Sequence, residues 1–293
     1  MKGKPNVIGL MLLIFTISII GSEAFSVLLV HVYSNYGVSV ANPSLSSAYQ
    51  ELVTLVIALF ATTAIFLLLI KYRFRRVMLG IVLVITGLIL LEFFSIIVQG
   101  AALYGFGFNL LSGSTAASIV ILGIYAAAIL SIVYYFKFAG KNGRNVINVM
   151  VFITVSSIIS LALGVLPSVI LLVVIAVYDY ISVFVTKHMV TLAKGLGNFG
   201  FLAGISLSVK KPKKVRRVGL FLGGGDIVFP AILVDALLLR YPPIAAALAS
   251  VGALAGLFTV LIVGKKGKFY PAMSFIVPFE LLFLGAYFLI ALV

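Results

Sequence analysis

Long apolar runs recur along this chain, separated by short stretches in which lysine, arginine, glycine and asparagine gather. Each run holds about 20 residues, enough for an α-helix to cross a hydrocarbon core about 30 Å thick. The pattern predicts nine spans, at 6–33, 50–70, 77–98, 114–136, 146–164, 167–190, 216–239, 242–263 and 270–292. The first admits two readings. Lys2 and Lys4, an apolar stretch and then Gly-Ser-Glu-Ala resemble a signal peptide. The apolar run resumes at once over Ala24–Val32, however, and one long tilted helix is the expectation. The fold class expected is therefore an all-α polytopic membrane protein.

Composition agrees. Of 293 residues, 63% are hydrophobic and 10% charged, whereas a soluble domain carries about a quarter charged residues. Absence of cysteine excludes disulfides, thiolate catalysis and cysteine-ligated metal. The two histidines, His31 and His188, fall in separate segments and make no metal site. No metal or organic cofactor is expected. The net charge of +14 would suit nucleic acid, but its placement argues against that partner. The basic residues sit in short loops between apolar runs, where they orient helices and face anionic lipid headgroups.

Lysine and arginine also set an expected orientation. With the N-terminus in the cytoplasm, the basic groups at 2–4, 71–76, 137–144, 187–217 and 265–268 all fall inside. That is 20 of the 21 basic residues, with Arg240 alone outside. The C-terminus is then outside. The chain divides into a six-helix part, residues 1–194, a cytoplasmic loop, 195–215, and a three-helix part, 216–293, within one integrated membrane domain. The loop opens on Gly195-Leu196-Gly197-Asn198-Phe199-Gly200-Phe201 and ends in a basic cluster from Lys210 to Arg217 that suits headgroup binding.

The seven acidic residues all lie within or at the edge of an expected span. A carboxylate at membrane depth costs several kcal/mol unless it is neutralised, paired or hydrated. Taken as helical rise, Asp179 lies about 12 Å in from Lys187, and Asp226 about 13 Å in from Arg217. The two expected helices are consecutive and antiparallel, so the two aspartates arrive at one level. Glu23, Glu92 and Asp235 come out far deeper, Glu51 sits at an outer edge, and Glu280 is intermediate.

Two carboxyl groups sharing a low-dielectric site hold one proton between them. That state suits peptide hydrolysis, in which the ionised group takes a proton from water and the protonated one polarises the carbonyl. It also suits a proton or cation pathway. Depth alone leaves both open.

Around Asp226 the chain reads Gly223-Gly224-Gly225-Asp226-Ile227-Val228-Phe229-Pro230. The glycines let another backbone come close and weaken helical order before the acid. Pro230 gives no donor to the Asp226 carbonyl four residues back. A loosened backbone at membrane depth needs a cavity or protein partners; close helix packing through small residues would use glycines as well.

Here a resemblance becomes specific. Gly223-Gly224-Gly225-Asp226 is similar to the Gly-x-Gly-Asp motif of the presenilin and signal peptide peptidase families. Tyr178-Asp179 resembles their Tyr-Asp motif, with Val183-Phe184 and Met189 to Lys194 extending the likeness. Pro271-Ala272-Met273 resembles their Pro-Ala-Leu element. The motif-bearing likeness covers about Leu166 to Val293; the first five spans match in count and hydropathy.

The resemblance implies hydrolysis of peptide bonds inside the bilayer of a multi-pass cell-membrane protein, without cofactor, on transmembrane-helix substrates. Asp179 and Asp226 would be the catalytic pair. Gly223, Gly224 and Gly225 would shape the substrate approach, Pro271, Ala272 and Met273 the cleft, and Tyr178 a wall or a packing contact. Three departures stand out. Met273 replaces leucine, a swap of similar volume. Gly224 stands where a larger apolar residue is usual. The 191–215 connection is shorter than the presenilin loop, which argues against self-cleavage. The inward N-terminus is that of presenilins and implies substrates whose N-terminus is outside. Glu23, Glu51, Glu92 and Asp235 are expected to serve packing, anchoring or a watered mouth, and Glu280 to bond a neighbour or tune the pair. A transporter using the same acids, or a silent scaffold, remains the alternative until cleavage is measured.

Overall fold

A computed structural model describes residues 5–35, 44–72, 74–106, 115–186, 204–211, 214–264 and 270–291. Among these the chain forms α1 (Pro5–Asn35), α2 (Leu45–Lys71), α3 (Arg75–Phe106), α4 (Thr115–Val133), α5 (Lys141–Leu163) and α6 (Val165–Tyr180). A hairpin of β1 (Gly204–Lys211) and β2 (Lys214–Gly223) follows, and then α7 (Gly225–Leu238), α8 (Pro243–Val263) and α9 (Met273–Ala291). Helices α4 and α6 each run on into a wider π turn, Tyr134–Phe138 and Ile181–Val185. Eight of the helices are long and apolar enough to cross a membrane. Helices dominate because each satisfies its backbone groups internally, as a bilayer demands. Helix α1 runs unbroken through Gly21-Ser22-Glu23-Ala24, as the long-helix reading expected.

The seventh expected span departs from the pattern. Residues 216–239 are not one helix: β2 extends to Gly223, and α7 begins at Gly225 and spans only 14 residues. Two physical causes combine. Three consecutive glycines are poor helix formers. Upstream, Ile205-Ser206-Leu207-Ser208-Val209 alternates with the period of a strand. Helical rise therefore does not measure the distance from Arg217 to Asp226, since strand residues advance by about 3.3 Å each. Asp226 instead sits in the first turn of α7. The stretch expected as loop, 195–215, likewise contains β1 and the start of β2. Its glycine-rich opening, with Lys187, His188 and Lys194, lies outside the described residues, as do Lys2, Lys4 and residues 265–269.

Helix α7 is the axis of the packing. Its side chains from Ala231 to Leu237 are all buried, and α1, α5, α6 and α8 surround it. Helices α8 and α9 approach closely because Gly252 and Gly256 present no side chain. A Cβ at Gly256 would lie 2.5 Å from the Ile276 Cα, and one at Gly252 2.7 Å from the Phe279 carbonyl oxygen. This is the small-residue packing that replaces the hydrophobic effect between helices in lipid. Helices α2, α3 and α4 lie outermost and expose large apolar side chains such as Ile57, Leu88, Ile119 and Leu122. In a bilayer that exposure costs nothing, because lipid covers it.

Candidate active site

On α6, Leu171, Ile175 and Asp179 recur every four residues and form one buried stripe. Asp179 is its last member and is only 7% exposed. The helix then widens into the π turn at Ile181, a distortion that recurs at functional sites. Ser182 donates its hydroxyl to the Asp179 carbonyl at 3.0 Å.

The segment Pro271-Ala272-Met273 opens α9, and all three residues are buried. The Met273 N–H donates to Asp179 Oδ2 at 3.1 Å, so the carboxyl group caps the helix. The Ala272 carbonyl accepts from Phe275 and Ile276, each at 3.0 Å, and closes the first turn. Ser274 Oγ donates to the Ala176 carbonyl at 3.1 Å and adds a second tie between α9 and α6.

Asp226 reaches its place differently. The Gly224 carbonyl accepts from Ile227 and Val228 at 3.1 and 2.9 Å, which starts α7 just before the acid. Gly223, the last residue of β2, donates its N–H to Asp226 Oδ2 at 3.2 Å. A Cβ at Gly223 would lie 3.0 Å from that oxygen, so glycine keeps the carboxyl group unobstructed. Asp226 is half-buried. Asp179 and Asp226 are near enough for their charges to act on each other. Each also sits at a helix N-terminus, whose partial positive charge offsets part of that repulsion. The arrangement holds one oxygen of each carboxyl group on a backbone N–H and can present the other to water and a peptide carbonyl.

The remaining expected residues take several places. Gly224 is the N-cap of α7, and a Cβ at Gly225 would lie 3.1 Å from the Phe229 ring. Tyr178 sets its ring edge-on to Phe60 of α2, with centroids 5.1 Å apart. Glu92 accepts from Tyr33 at 2.9 Å, Glu23 from Ser250 at 3.2 Å, and Asp235 from Ser22 at 3.0 Å. Glu280 is fully buried with neither carboxyl oxygen hydrogen-bonded. Among the described residues, no group of three or more metal-ligating side chains comes together.

Two contributors escaped the sequence reading. One is the hairpin, whose signal was the alternation at Ile205–Val209. The other is the pair Asn145 and Asn148 on α5, one helical turn apart and buried. Asn145 exchanges two hydrogen bonds with the Ser206 backbone, both at 3.0 Å, and Asn148 Nδ2 donates to the Gly204 carbonyl at 2.8 Å. Two amides three residues apart on one face of the helix, at the start of its apolar run, were the visible clue.

Comparison with known proteins adds an independent line. A family model described as signal-peptide peptidase, presenilin aspartyl protease matches residues 12–279. Two solved structures resemble the fold. One, a presenilin family intramembrane aspartate protease in space group C222, has a TM-score of 0.66 at 24% identity, covering 95% of this chain and 99% of that one. The other, such a protease in space group P2, has a TM-score of 0.61 at 23% identity, covering 93% and 96%. At these identities the likeness is one of fold. No curated protein matches the sequence.

Proposed function

The chain belongs to the signal-peptide peptidase and presenilin aspartyl protease family and is a multi-pass intramembrane aspartic endopeptidase, and from that premise we propose that Asp179 and Asp226 are its catalytic pair. One observation carries the assignment: the segments around Met273 and Gly223 each give a backbone N–H to one of these two carboxyl groups.

The pair shares one proton. The ionised group takes a proton from a water molecule as the water oxygen attacks the scissile carbonyl carbon. The protonated group gives its proton to the carbonyl oxygen, and a tetrahedral diol forms. Collapse of the diol breaks the C–N bond, one hydroxyl proton returns to a carboxylate, and the leaving nitrogen takes the proton held by the other. Proton count is unchanged over the cycle. The macroscopic titration belongs to the pair, and no proton is assigned to either member.

The substrate is a transmembrane helix that must open locally, because a helical peptide group is shielded by its own hydrogen bonds. Strand β2 gives the opened segment a place. In an antiparallel pair, residues alternate between facing the partner and facing away. Gly204 and Ser206 turn their backbone groups to α5, so their partners Gly223 and Phe221 turn away from β1. An extended substrate segment adding to that edge runs past Asp226. Pro271, Ala272, Tyr178 and Gly224 line the approach, whereas Gly225 faces the Phe229 ring. The protein works in the cell membrane with its N-terminus cytoplasmic, and it takes substrates whose N-terminus is outside.

The test is cleavage of a single-span reporter peptide by the purified full chain in lipid, beside Asp179→Ala and Asp226→Ala. Wild type cuts and both variants are inactive while keeping the wild-type helical content. Cleavage surviving either substitution would remove that residue from the pair.

A further inference from the structure

We infer that Asn145 and Asn148 of α5 are positioning residues for the reaction, acting through the hairpin on Asp226. This rests on Asp226 being catalytic. The argument begins with the edge of β1. A strand edge carries unpaired N–H and C=O groups, and away from water each must find a partner. No third strand lies beside β1 among the described residues. The side-chain amide of Asn145 takes that role, because it carries a donor and an acceptor as a peptide group does. It gives one bond to the Ser206 carbonyl and receives one from the Ser206 N–H, the exchange a neighbouring strand would make. Asn148, one turn further along α5, meets the Gly204 carbonyl, the next outward-facing residue of β1. A helix face with asparagines three apart thus matches a strand edge whose outward groups recur every second residue.

The consequence is transmitted over a short path. Gly204 is paired with Gly223. Because both residues of that pair face outward, one side goes to Asn148 and the other to Asp226 Oδ2. The asparagines therefore fix the lateral position of β2 relative to α5, and with it the N–H that holds the Asp226 carboxyl group. Apart from the Gly223 N–H on Asp226, the hairpin carries no other side-chain hydrogen bond to a helix among the described residues. Asn148 is in turn held by Tyr135, hydrogen-bonded to it from the π turn after α4. The Arg144 guanidinium lies 5.6 Å from the Tyr135 ring centroid. The π turn that ends α4 thereby braces the amide that braces the sheet.

The experiment compares the purified full chain in lipid with Asn148→Leu, Asn148→Ala, Asn145→Leu and Asn148→Gln, beside Asp226→Ala, on one single-span peptide. Leucine preserves volume and removes the donor; glutamine keeps an amide on a longer arm. A carboxyl group displaced by a fraction of an ångström predicts that kcat falls about tenfold in the leucine and alanine variants, with KM within about threefold. Asn148→Gln recovers kcat to within about threefold of wild type. Amide exchange at 204–207 and 220–223 accelerates in Asn148→Leu. Unchanged kcat in Asn148→Leu and Asn145→Leu would overturn the inference, as would an Asn148→Gln enzyme no faster than Asn148→Ala. If leucine prevents folding, the alanine and glutamine pair decides the same question. Cleavage surviving in Asp226→Ala would instead refute the catalytic pair, so the two failures are distinct.

Discussion

Replacing Gly223 with alanine would put a methyl group 3.0 Å from Asp226 Oδ2 and 3.7 Å from its Cγ. Ordinary contact begins near 3.4 Å, so the carboxyl group or β2 must yield by about 0.4 Å. The same oxygen is held by the Gly223 N–H at 3.2 Å, and the movement lengthens a bond that is already long. A misplacement of about 1 Å costs about a hundredfold in rate, so a shift of about 0.4 Å predicts a loss of about sixfold in kcat, or about 1 kcal/mol of barrier. Gly225→Ala is the control. There the new methyl meets the Phe229 ring at 3.1 Å, and a half-buried ring at the end of a side chain can turn aside. Gly225→Ala should stay within about twofold of wild type. The assay is kcat on the single-span reporter for both variants, with thermal unfolding beside it. Equal rates for Gly223→Ala and wild type, or a slower Gly225→Ala than Gly223→Ala, would refute the steric reasoning.

Phe221→Pro removes an outward N–H from the β2 edge while leaving the pairing with β1 intact, since proline is tolerated at such a position. Loss of one substrate hydrogen bond predicts a fall of about fivefold in kcat/KM, and an unchanged value would exclude substrate pairing there. Gly256→Val brings a side chain against the Ile276 Cα and the Phe275 carbonyl oxygen, backbone atoms that cannot turn aside. The helices must part, at about 1–3 kcal/mol, lowering the unfolding midpoint by several degrees; Gly285→Val, with nothing within 4 Å, should leave it unmoved. Because the chain has no cysteine, single cysteines at Lys141 and Tyr241 report orientation. An impermeant thiol reagent on intact cells should label position 241 and spare position 141, and the reverse pattern would invert the proposed topology.

The helices were legible because their cause is local: a run of apolar residues long enough to cross lipid has few alternatives to a helix. What hydropathy marks is the apolar part of each helix, however, not its ends. Helix α5 begins at Lys141, five residues before the expected 146, because backbone bonding continues into a polar turn, with the Arg144 N–H on the Gly140 carbonyl. That unmarked turn holds Asn145 and leads to Asn148. Hydropathy reads an asparagine as an interruption of the span, whereas its role here is set by a strand some 60 residues away in the chain. The partner is non-local, so no window along the sequence contains both.

The seventh span shows where helical rise fails as a measure of depth. Asp179 and Asp226 were matched by depth, counting helical rise from the nearest basic residue. For Asp226 that count crosses a strand, a glycine turn and the first turn of α7. The two residues nevertheless come together, for a reason that depth did not contain. Each motif supplies a backbone donor at the boundary of a structural element: Met273 opens α9 beside Asp179, and Gly223 ends β2 beside Asp226. Glycine at 223 and the small residue Ala272 beside Met273 allow backbone to approach where a side chain would intervene. The motifs are therefore better understood as places where backbone is brought to a carboxyl group than as lists of reactive side chains. That is also why the sequence shows these motifs while misplacing the start of the helix that follows one of them. Gly223, one of the glycines that interrupt the expected span, is also the residue that delivers the N–H to Asp226, so the break in that span and the support of the acid meet in one residue.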